Sequence, residues 1–159
     1  MATSLYDMSV ASYLQTMTAV AGYLDKAFVF CRDKDIDTNE IVESRLFADM
    51  LPLRFQIVSV AHHSLGAIEG LKKGVFVPPN QTGPLNYPDL QKLIADTVGG
   101  LQRFSADEVN ALEGREVVFQ FRDRRSRLRP RPLSSRFHSQ TSISMLPPPT
   151  TSSAPRACR

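Results

Sequence analysis

Between Asp7 and Arg32 the apolar residues Val10, Leu14, Met17, Ala21, Leu24, Phe28 and Cys31 recur in steps of three and four. That spacing lays them along one side of an α-helix, whose turn is 3.6 residues. A helix with one apolar stripe needs partners of similar length to cover it. The chain supplies two. After Pro52, the residues Leu53, Ile57, Val60, Ala61, Ser64, Leu65, Ile68 and Leu71 share a face; after Pro88, so do Leu90, Leu93, Ile94, Val98, Leu101 and Phe104.

The punctuation between the stripes fits helices of these lengths. Asp7 is read as the cap of the first. In "DTNEIVESRL", Asp37 stands three residues before Glu40, the spacing of a capping box, and opens a shorter helix with Ile41, Val42 and Leu46. Pro52 suits the first turn of the second long helix and Gly74 its stop. "VFVPPNQTGPLNYP" excludes helix and reads as a connecting loop. Gly99 and Gly100 each cost a helix about 1 kcal/mol relative to Ala, so a bend or a close approach is expected there. Ser105 and Glu108 repeat the capping-box spacing, and "REVVFQF" alternates with period two, as a strand does.

The fold class is therefore all-α: an up-and-down helical bundle with one short strand or hairpin after the third long helix. A four-helix bundle needs one more helix after residue 121. Instead, "SRFHSQTSISMLPPPTTSSAPRACR" closes the chain. Residues 4–121 read as a helical-bundle domain lacking its last helix, and residues 122–159 as a disordered Arg/Ser/Pro-rich tail.

Charge divides at the same place. Residues 1–121 carry 10 Lys and Arg against 15 Asp and Glu, whereas residues 122–159 carry 9 against 1, and all nine are Arg. Two cysteines in 159 residues make no disulfide framework, and their spacing to His suggests no zinc motif. There is no basic leader followed by an apolar core and no uninterrupted apolar run of membrane length. These features place the chain in the cytoplasm, with no membrane partner.

Three segments, "SLYDMSVASYLQ", "LDKAF" and "ESRLFADMLPLRFQIVSVAHHSLGAI", give the chain a resemblance to a family, the domain of unknown function nineteen ninety-three, from residue 4 to 121. Its most recognisable run resembles "RLFADMLPL", here Arg45, Leu46, Asp49, Met50, Pro52 and Leu53 among others. The resemblance implies a DinB/YfiT-like four-helix bundle, a superfamily in which many members depend on a divalent metal. It also implies a C-terminal helix reading L-P-N-F-x-F-H, then Tyr, then L-R-x-x-G-V-P, which is absent in frame.

Codon arithmetic accounts for that absence. Read one base earlier, the first base of each codon becomes the second base of the shifted codon, and a T there specifies an apolar residue. Codons for Phe, Cys and TCN serine begin with T. Ser134, Ser135, Phe137, Ser139, Ser142, Ser144, Ser152, Ser153 and Cys158 thus mark apolar positions in the shifted frame. With third bases chosen freely, the string from Phe137 reads F-S-L-P-N-F-H-F-H-A-A-T-T-Y-D-I-L-R-A-x-G-V-P, the family's helix at its own spacing. A frame break between residues 120 and 134 is the expectation, and a Lys-free, Arg-rich tail fits GC-rich codons read out of frame.

In DinB-like proteins a helix-borne histidine joins others from the last helix to hold a metal. By that resemblance His63 and His62 are the metal-ligand candidates. Neighbours lie about 100° apart on a helix, so the two cannot serve one ion, and His63, nearer the core edge, is preferred. Of the remaining histidines only His138 is left, in the tail. Asp25, Glu43, Asp49 and Glu69 form no ExxH or HExxH pattern and read as capping or surface charge. Arg45 and Asp49 stand at the i,i+4 spacing of an architectural ion pair, and Cys31 continues a core stripe. No catalytic or cofactor-binding residue is assigned.

The function that follows is a small helical-bundle protein with no assignable activity, truncated by the frame break and able to self-associate through an exposed apolar groove. One alternative is a DinB-like metal-dependent transferase or hydrolase. Another is nucleic-acid binding by "RDRRSRLRPRP" through its phosphate-neutralising charge, although the segment lacks the aromatics and the recognition helix of specific binding.

Overall fold

The structure is a computed structural model and describes residues 3–79, 83–121 and 124–128. Its helices follow the stripes. Helical backbone begins at Leu5, passes through a π-helical turn at Asp7–Ala11 and continues as α1 (Ser12–Asp33). Val10, Met17, Leu24 and Cys31, spaced two turns apart, are fully buried along it. The cap is Ser4 and not Asp7: Ser4 Oγ accepts from Asp7 N at 3.1 Å and donates to Asp7 Oδ2 at 2.7 Å. Asp7 thus takes the acidic third position of the first turn, where the helix dipole favours it. Asn110 also accepts from Tyr6 N at 2.9 Å, tying the start of the chain to a helix a hundred residues on.

Asp37 caps α2 (Thr38–Glu43) by accepting from Asn39 N at 2.9 Å. After a turn, α3 (Leu53–Ala61), a second π-helical turn at His62–Gly66, and α4 (Ala67–Lys73) form one continuous rod. Gly74 ends it at φ 77°, in the left-handed region that favours glycine. Asn86 and Asp89 make a reciprocal capping box at the start of α5 (Tyr87–Leu101). Ser105 accepts from Glu108 N to cap the short α6 (Ala106–Asn110).

A small sheet lies beside the helices. β1 (Val75–Phe76) runs parallel to β2 (Val117–Phe121), with Val75 opposite Val118; β2 pairs antiparallel with β3 (Arg124–Leu128), with Val117 opposite Leu128. The expected strand is present as the middle of three. β1 lies in the stretch read as pure loop, because its partner is far along the chain and two residues carry no periodicity. β3 extends regular structure into the segment read as a tail; residues 129–159, with His138 and the whole shifted-frame string, lie outside the described residues.

α5 is the centre of the bundle. It packs against α1 on one side and against α3 and the second π-turn on the other, while α1 and α3 scarcely touch. Met17, Leu24, Leu90, Ile94 and Leu101 are each fully buried, worth about 1.5–3 kcal/mol apiece. Tyr87 joins them, its hydroxyl donating to Leu24 O at 2.6 Å. Gly100 permits the close approach foreseen at the glycine pair: a Cβ there would stand 2.6 Å from Leu65 Cδ2, whereas one on Gly99 would meet nothing within 4 Å. Among the described residues no helix is long and apolar enough to cross a membrane.

Candidate functional site

The two histidines fall on the π-turn between α3 and α4. A π-turn inserts one extra residue into the helical phase and commonly marks a functional position. Here it sets the two rings against each other, 5.8 Å apart, and both against Phe76. The His62 and His63 rings lie 5.0 and 5.7 Å from the Phe76 ring, and Phe76 stacks in turn on Phe119 at 6.0 Å. Gly66 leaves room beneath: a Cβ there would stand a tight 3.1 Å from His62 Nδ1.

Their hydrogen bonds separate the two residues chemically. A carbonyl can only accept, so the ring nitrogen facing it carries the proton. His62 Nε2–H donates to Val77 O at 2.6 Å, fastening the strand after Gly74 to the helix. His63 Nδ1–H donates to Ser59 O at 2.7 Å, with Ser59 Oγ 3.3 Å away. In its neutral form His63 therefore keeps the Nε2 lone pair free on an exposed ring. A carbonyl on Nδ1 is the partner that orients many metal-binding imidazoles. His62 has its Nε2 committed to the fold.

These donors do not make a metal centre on their own. Among the described residues no group of three or more His, Cys, Asp or Glu side chains gathers closely enough to hold an ion, and zinc sites take three or four protein ligands. Three of the four acidic candidates are engaged elsewhere. Asp25 Oδ1 accepts from Gln91 at 2.9 Å, Glu43 pairs with Arg54 at 2.6 Å, and Glu69 pairs with Lys73 at 3.6 Å. The rod and β1 do enclose a surface concavity of about 410 Å³ lined by His62, Gly66, Glu69, Gly70, Lys73 and Phe76.

The run from Arg45 to Leu53 forms the turn into α3. Pro52 is buried, Met50 and Leu53 are half-buried, and Arg45, Leu46 and Asp49 are exposed. Arg45 does not pair with Asp49; its guanidinium donates to Met50 O at 3.1 Å. The i,i+4 geometry belongs to a helix, and residues 44–52 are not helical. Leu46, expected on the apolar side of the short helix, is 85% exposed beyond its end. Cys31 is a buried free thiol. Sequence reasoning missed Phe76 and Ser59, although "VFV" directly after a helix-ending glycine was a usable strand signal.

Three helical rods, α1, α3–α4 and the α5 between them, with a small sheet beside them and a histidine-bearing π-turn, define a DinB-like helical bundle. A solved structure of a DinB family member protein from Shewanella denitrificans has the same fold, with a TM-score of 0.60 at 21% identity over 70% of this chain. This chain covers 64% of the length of that one. Among curated proteins none matches. The family model described as domain of unknown function (DUF1993) matches residues 5–140, and the chain belongs to that family.

Proposed function

We propose that the chain in its present form is the three-helix part of a DinB-like bundle, without an activity of its own, because its frame shifts before the helix that would close it. The arrangement of the helices supports this reading most directly. α5 touches both α1 and α3 while those two scarcely meet, which is the layout of a square bundle with one corner vacant. The tail as written offers no apolar helix to fill it. β3 pairs residue by residue with β2, and Arg127 reaches Glu116 at 3.2 Å, so residues through Leu128 behave as native chain. The apolar marks of the shifted frame begin at Ser134. Within the expected interval of residues 120 to 134, this pairing favours the part after Leu128. Genomic and transcript sequencing across these codons tests it: an alternate frame that opens into the L-P-N-F-x-F-H helix supports the reading, and one closed by stops overturns it.

A second reading, a metal-dependent transferase or hydrolase, is favoured by one observation, the free Nε2 of His63 behind a carbonyl-bound Nδ1–H. Its remaining ligands would have to come from outside the described residues. Metal analysis of a frame-restored chain tests it, with stoichiometric Zn, Ni or Fe expected in the wild type and lost in His63→Ala. Metal-free protein with unchanged stability refutes it.

A further inference from the structure

Large apolar side chains are exposed where the second half of α1 meets the turn between α2 and α3. Leu46 is 85% exposed, Phe47 71%, Phe30 55%, Tyr23 43% and Leu51 38%. Tyr23, Ile41, Leu46, Met50, Leu51 and Leu53 border a concavity of about 320 Å³. Phe47 sits in the turn at its rim, closed by a hydrogen bond from Met50 N to Phe47 O at 3.1 Å. One face thus offers both a protruding aromatic ring and a hollow large enough to receive one.

We propose that this face docks a second copy of this chain about a two-fold axis, the Phe47 of each entering the concavity of the other. Three features favour a copy of itself. Knob and hollow on one patch are what an isologous interface requires, since each surface must complement itself. Arg45 and Asp49, both exposed on the same turn, provide opposite charges that the axis can set against each other across the rim. The area also suffices. With about 150–250 Å² per aromatic side chain, the five residues expose on the order of 500 Å² per copy. Two copies together reach the ~1,000 Å² at which specific interfaces begin, and a single patch of this size is at the upper end for a monomer.

Sedimentation velocity of the full chain, from about 1 to about 100 μM to bracket a micromolar Kd, tests the proposal. A monomer–dimer equilibrium is expected, with Phe47→Asp and Leu46→Asp each raising Kd by roughly tenfold or more. Far-UV circular dichroism should not change, because both side chains are largely in solvent. A chain that stays monomeric, forms species larger than a dimer, or keeps its dimer in both variants overturns the proposal. It deepens the reading of an incompletely covered bundle but uses only residues before the hairpin. An intact frame would remove that reading and leave this result standing.

Discussion

Gly99 and Gly100 are adjacent in α5, yet replacing each by alanine should move stability in opposite directions. Alanine gains about 1 kcal/mol over glycine inside a helix. At Gly99 a Cβ meets nothing within 4 Å, so the variant should realise most of that gain. At Gly100 the Cβ would stand 2.6 Å from Leu65 Cδ2, 3.0 Å from Cδ1 and 3.4 Å from Cγ. Both methyls are inside contact distance, so turning χ2 exchanges one clash for the other and the whole side chain must shift. Overpacking of this kind costs about 1–3 kcal/mol, which leaves Gly100→Ala destabilised by ~0–2 kcal/mol after the helical gain. Urea midpoints followed by far-UV circular dichroism give the difference between the variants, expected at ~1–3 kcal/mol. In a Leu65→Ala background the clash is gone, and Gly100→Ala should turn stabilising, a coupling of similar size. If the two single variants stabilise equally in the native background, α5 does not pack against the π-turn as closely as described here.

Tyr87 predicts an alkaline limit. Burial first, and then the nearby Tyr23, Cys31 and Asp25, push its hydroxyl from 10.0 up to about 12. The folded state holds the proton more tightly than the unfolded chain, so this stability is whole below about pH 10 and is lost as pH climbs through 12. Tyr87→Phe should flatten the decline, Tyr23 titrating upward of its usual value beside it, and should cost about 1 kcal/mol at neutral pH for the hydrogen bond to Leu24 O. Asn86→Ala, which removes a complete capping box, should lower stability by about 1 kcal/mol, read from the urea midpoint. Phe76→Ala, which empties the space between both histidines and Phe119, should cost about 2–3 kcal/mol and speed amide exchange at Val118, whose N–H donates to Gly74 O. Slow exchange retained there would mean that Phe76 does not hold the sheet to the rod.

What the sequence made legible was local. The three stripes, the left-handed Gly74 and the Ser105 cap each depend on residues within a turn or two of one another. Misreadings came where a distant partner decides. β1 exists only because Phe76 meets Phe119 and the two imidazoles. Asp7 has capping chemistry, but Ser4 three residues earlier competes for the outer position and wins, because an acid gains more inside the first turn. The π-turns carry side-chain bonds to the backbone, Ser64 Oγ to Val60 O at 2.7 Å and Ser12 Oγ to Asp7 O at 3.2 Å. So does regular α-helix here, as Thr97 Oγ1 to Leu93 O does at 2.7 Å, so composition does not signal the change of phase. At the candidate site the sequence located the histidines but not their division of labour, which two backbone carbonyls determine.

The corner proposed to lack its helix and the proposed dimer face are coupled. The concavity that Phe47 would enter is bordered by Tyr23 from α1 and by Leu53 and Gln56 from α3, so it opens where these two helices scarcely touch. A fourth helix laid into that gap would bury about six large apolar side chains at about 1.5–3 kcal/mol each. The total, on the order of 10 kcal/mol, rivals the ~5–15 kcal/mol of a whole domain. A dimer contact of micromolar strength, worth about 8 kcal/mol at a 1 M standard state, contributes far less at working concentrations. Where both compete for the Tyr23 side of the gap, the helix wins. The frame-restored chain should then unfold at markedly higher urea and dimerise more weakly than the chain as it stands. Equal dimer affinities in the two forms would mean that the fourth helix and the second copy occupy different surfaces.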